Sequence, residues 1–175
     1  MAQKVVVIDS SLLVVWLKVP GRQDAGPKHD LWDFDRIDAM FRKNQEEGAT
    51  FVLPVATIIE TGNMICGVPK KEDRLPPAQA LVELITSSGR GVSPWAIFSD
   101  QSVLWESDQL IRIVEKWPEL TGRSRCVSMG DATIKVVAEH YAKMGFHVEI
   151  ATGDFGLKSF QPPAPVVVPT PRRRP

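Results

Sequence analysis

Cysteine is scarce in this chain: Cys66 and Cys126 are the only two in 175 residues. With no secretory signal in view, both are expected to be reduced core or loop thiols of a cytoplasmic protein. Long apolar runs are missing too. The run near the amino end, Val5 to Ile8, is too short for a signal-peptide core, and no window approaches a membrane span. Net charge is absent, because 21 basic and 21 acidic residues cancel. That excludes coating of nucleic acid by bulk charge, though not a local basic rim around an acidic site. His29, His140 and His147 have no metal-ligand spacing. No G-x-x-x-x-G-K phosphate loop occurs, so nucleotide hydrolysis is unsupported. The length is enough for one domain with a buried core.

What is present is an alternation. Lys4–Ile8 is a continuous β-branched run, as in a strand buried on both faces, and Ser10–Leu17 reads as a short helix ended by Pro20-Gly21. A loop to about Asp30 precedes a helix marked by Ile37, Met40, Phe41 and Asn44. Thr50–Leu53 reads as a second strand, followed by a helix with the apolar stripe Val55, Ile59, Gly62, Cys66. Further helices are expected over Pro76–Thr86, over Ser102–Lys116 up to the Trp117-Pro118 stop, and from about Met129 to Met144. Strands are expected at Trp95–Ser99 and His147–Ala151, a helical turn at Asp154–Ser159, and an edge strand at Val166–Val168. This order predicts a three-layer α/β/α fold with a mainly parallel sheet of four to five strands. Residues 1–160 would form the domain and 161–175 a proline- and arginine-rich tail.

Four acids fall at the joints of this alternation. Asp9 follows the first strand, Glu60 lies in the helix after the second, Asp131 opens a late helix, and Asp154 follows the fourth strand. In an open parallel sheet these positions share one edge, where ligands bind. Gathered carboxylates repel, and hard oxygen donors of this kind suit Mg²⁺ or Mn²⁺. A divalent cation relieves the repulsion and suits phosphodiester hydrolysis. Ser11 and Thr152, each two residues from an acid, and Asn63, one turn after Glu60, are the expected supporting polar groups. Arg123 and Arg125 precede the Asp131 helix and are candidates for phosphate contact. Each acid alone also fits a plainer role: Ser128-x-x-Asp131 has the form of a capping box, and Asp9 and Asp154 can cap the helices that follow them. Only their joint placement points to a shared site.

On these residues the chain resembles the PIN-domain nucleases, most closely those of the VapC toxin type. The matching segments are Asp9 in IDSSLL, Glu60 in ATIIETGN, Asp131 in GDATIKVVA and Asp154 in ATGDFGLKSF, with Phe155 and Phe160 after the last acid. They run in order over residues 4–160. The resemblance implies a Mg²⁺- or Mn²⁺-dependent endoribonuclease, often a homodimer, often silenced by a small antitoxin whose tail fills the site. Ser11 departs from the asparagine many members carry there. The lengths of Pro69–Pro94 and Pro118–Val127 and the proline-arginine tail depart as well. A PIN nuclease of RNA maturation or decay, or one acting on DNA, fits the same acids without an antitoxin. A binding module that has kept only the fold is the third reading.

Overall fold

The computed structural model describes residues 3–100, 102–121 and 127–165. Arg123, Arg125, Cys126 and the expected edge strand at Val166–Val168 lie outside them. Four strands form the central sheet: β1 (Lys4–Ile8), β4 (Thr50–Leu53), β5 (Trp95–Ile97) and β6 (His147–Ala151). All neighbours are parallel and the spatial order is β5-β4-β1-β6. The chain steps outward from β1 to β4 to β5, then returns to lay β6 on the other side of β1. The strand order therefore reverses beside β1, and the crevice at the carboxyl ends of β1 and β6 is the place where such sheets take ligands.

Side chains of β1 alternate between two cores. Val6 and Ile8 pack with Leu12, Leu13, Ile37, Phe51 and Leu53 on one face. Val5 and Val7 pack with Val52, Ile134, Val137 and Ile150 on the other. Helices α1 (Ser10–Trp16), α2 (Phe34–Glu46), α3 (Val55–Cys66) and α4 (Leu75–Gly89) supply the first layer. Helices α5 (Ser102–Trp105), α6 (Ser107–Thr121) and α7 (Met129–Lys143) supply the second. The result is the three-layer α/β/α arrangement that the alternation predicts. A short α8 (Phe155–Lys158) follows β6. Gln161 turns back to the outer edge of β6, accepting from the Ile150 N–H at 2.8 Å and donating to the Val148 carbonyl. Among the described residues, this side chain is what covers the outer edge of β6.

The structure corrects four local expectations. The helix expected over Ser102–Lys116 is two, broken at Glu106. Pro118 does not stop the second. It removes one N–H near the carboxyl end, and the helix continues to Thr121 while the Trp117 indole holds the Val127 carbonyl at 3.0 Å. In α3 the inward face is Thr57, Thr61 and Ile65; Ile59 and Cys66 are exposed. Burial of Thr57 is tolerated because its hydroxyl donates to the Ile8 carbonyl at 2.7 Å. The loop after α1 contains a small antiparallel hairpin, β2 (Asp24–Ala25) with β3 (Trp32–Asp33). No helix among the described residues is long and apolar enough to cross a membrane.

Candidate active site

Asp9 is the first residue beyond β1 and only 3% exposed. Its N–H continues the ladder by donating to the Ala151 carbonyl at 3.0 Å. Two hydroxyls converge on its Oδ2: Ser11 at 2.5 Å and Thr152 at 2.7 Å. Each hydroxyl is itself oriented from behind. The Gly153 N–H donates to Ser11 Oγ at 3.0 Å, and the Asp154 N–H donates to Thr152 Oγ1 at 2.9 Å. A hydroxyl that accepts from a backbone amide has its proton free to point at the carboxylate, so both donors are fixed. Ser11 and Thr152 thus hold the first acid, and Thr152 ties it to the last.

Glu60 reaches the same place from α3. Ser10 Oγ donates to Glu60 Oε2 at 2.7 Å and lies 3.4 Å from Asp9 Oδ1. One hydroxyl proton serves one acceptor well, so the short contact to Glu60 is the real bond. The glutamate is half-buried because Thr57 anchors α3 against the end of β1, not because of the stripe through Ile59. Asn63 makes no hydrogen bond to Glu60 among the described residues; it is exposed one turn further along. Ser10 performs the role expected of Asn63. Its only sequence signal is its position between Asp9 and the first buried turn.

Asp131 sits in the first turn of α7, where its Oδ2 accepts from the Ser128 N–H at 2.9 Å and Ser128 Oγ accepts from the Asp131 N–H at 3.0 Å. The capping-box form is therefore real. It does not exhaust the residue. Burial pushes its carboxyl above the ordinary value of 3.8, the Ser128 hydrogen bonds pull it back, and the charges of Asp9 and Asp154 push it up again. The net displacement is upward, chiefly from burial, with the charges of Asp9 and Asp154 adding to it. Asp154 is exposed and caps α8, its Oδ1 accepting from the Leu157 N–H at 2.9 Å.

Contacts and fields therefore link all four acids at one sheet edge. Asp9 meets Asp154 through Thr152, Ser10 stands beside Asp9 while bonding Glu60, and Asp131 stands in the field of Asp9 and Asp154. None forms an ion pair with a lysine, arginine or histidine among the described residues. As the side chains stand, no three histidine, cysteine, aspartate or glutamate groups among the described residues form a set that could hold a metal ion. Each carboxylate has one oxygen committed to a hydroxyl or backbone N–H. The second oxygens of Asp131, Asp154 and Glu60 have no hydrogen bond with a described residue. The donor chemistry, hard anionic oxygens without a counter-cation, fits Mg²⁺ or Mn²⁺.

The hairpin β2–β3 walls this edge. Gly26, at φ +91°, backs onto the Asp30 and Gly153 carbonyls, and Gly153 in turn packs on Ala25. The sequence leads to the expectation of a loop here; Arg22 in that loop and Gly130 in α7 both border the acids. No protein-family model matches the chain, and no curated protein matches it either.

Proposed function

We propose that this protein is a divalent-metal-dependent endoribonuclease of the PIN type, acting in the cytoplasm as the toxin of a toxin–antitoxin pair. The observation that carries the reading is the linkage of Asp9, Glu60, Asp131 and Asp154 without any basic partner among the described residues. An uncompensated group of carboxylates is unfavourable in itself, and a Mg²⁺ or Mn²⁺ ion would remove that cost. When bound, such an ion supplies Lewis-acid stabilisation of charge developing on a phosphodiester.

The residues have distinct parts in this reading. Asp9 is the fixed member, locked by Ser11 and Thr152. Asp131 and Asp154 flank it with their second oxygens open. Glu60, held by Ser10, is placed to accept a proton from an attacking water. Walls from α3 and from the hairpin restrict access to an extended strand. The homodimer and the small antitoxin belong to the same proposal, supported by the resemblance alone.

The test is a cleavage assay on RNA. Cutting that appears with Mn²⁺, stops with EDTA and disappears in Asp131→Asn supports the reading. Cutting that survives in both EDTA and Asp131→Asn removes it.

A further inference from the structure

Two clefts open on either side of the acids. One, of about 510 Å³, is lined by Glu60, Asn63 and Pro69. The other, of about 490 Å³, is lined by Ser11, Asp154 and Phe155. Arg22 and Met64 line both, so the two meet at Arg22. Among the described residues Arg22 is the one basic side chain on either wall. It makes no ion pair with a described carboxylate, although Asp24 lines the same cleft. Its backbone is fixed at both sides: the Arg22 N–H donates to the Val19 carbonyl at 3.0 Å, and Gly26 is wedged against Gly153.

We propose that Arg22 clamps a phosphate beside the one cut, holding an unpaired RNA strand that runs through the two clefts across the acids. This rests on the nuclease reading. A polyanion laid over carboxylates needs a cation in the path, and guanidinium binds phosphate with two parallel hydrogen bonds. Asp9 is recessed, so the reacting phosphate has to descend between the walls. A duplex holds its phosphates on a rigid outer surface, whereas an unpaired strand bends in and splays its bases.

Anisotropy of a labelled unpaired oligoribonucleotide and of a duplex of equal length, with Ca²⁺ in place of Mn²⁺, tests this at several salt concentrations. Wild type should prefer the unpaired strand. Arg22→Gln should bind it about tenfold more weakly and flatten the log–log salt slope by about 0.7, the share of one single-strand phosphate. Arg22→Lys should restore most of the slope, and cleavage in Mn²⁺ should show a raised KM with kcat nearly unchanged in Arg22→Gln. Equal binding by wild type and Arg22→Gln overturns the clamp while leaving the nuclease reading intact if both cut. Preference for duplex overturns the unpaired strand. Arg22-dependent binding without any Mn²⁺-dependent cutting keeps the track and sinks the nuclease; neither binding nor cutting sinks both.

Discussion

The Glu60 carboxylate lies directly against the backbone of Gly130: a β-carbon placed on Gly130 would stand 2.0 Å from Glu60 Oε1. Glycine early in a helix is otherwise a poor choice, worth up to ~1 kcal/mol less than alanine. Its presence here leaves room for a carboxylate. Gly130→Ala should thus leave the melting temperature unchanged or raised, since the obstructing atom is the end of a flexible side chain. Cleavage should fall by roughly tenfold to a hundredfold, because Glu60 is displaced by an ångström or more. Paired thermal melts and initial rates check this; unchanged activity would mean that the position of Glu60 is irrelevant.

Asp131 carries a pH signature. Its carboxyl is displaced above the ordinary value of 3.8 in the folded chain, so its contribution to stability is fully present below that value and is lost as pH rises through the folded pKa. Asparagine keeps an oxygen for the Ser128 N–H and carries no charge. In EDTA, Asp131→Asn should melt higher than wild type at neutral pH, and the gap should close as pH falls towards 3.8. A wild type that melts higher at neutral pH contradicts the raised carboxyl.

Gly153 is packed on the hairpin that walls the site. A β-carbon there would stand 2.8 Å from Ala25 Cβ and 2.9 Å from the Gly26 nitrogen. Backbone atoms cannot swing away as a side chain can. Gly153→Ala should therefore cost ~1–3 kcal/mol by overpacking and loosen the Ser11 support of Asp9, which the Gly153 N–H orients. Urea unfolding measures the first effect, and the accompanying loss of cleavage the second.

Thr61 is fully buried in α3, and its hydroxyl has no hydrogen-bond partner among the described residues. Valine has the same shape without the polar atom. Thr61→Val should stabilise the chain by ~1 kcal/mol in chemical denaturation. Thr57→Val, which cuts the bond to the Ile8 carbonyl, should do the opposite.

The central strands and the edge were legible because continuous β-branched runs leave little choice of conformation. Lys4–Ile8, Thr50–Leu53 and His147–Ala151 have the bounds read from the sequence. Asp9 and Asp154 followed from those runs, since each stands just past a strand. The rotation of α3 was not legible, because Thr57 and Thr61 look polar until the carbonyl of Ile8 is placed beside one of them. The same ignorance of tertiary partners assigned the support of Glu60 to Asn63 instead of Ser10. The hairpin at Asp24 and Trp32 escaped because each strand is two residues long and shows no periodicity. Arg22 escaped with it, since a cleft shared by two distant segments leaves no local pattern.

If these four acids form a divalent-cation site, a calorimetric titration of EDTA-stripped protein with Mn²⁺ will detect it. Wild type should bind with a saturable isotherm and melt higher as Mn²⁺ is added, while Asp9→Asn should bind at least about tenfold more weakly and show little rise. No saturable binding by wild type, or the same isotherm for both proteins, would contradict the account.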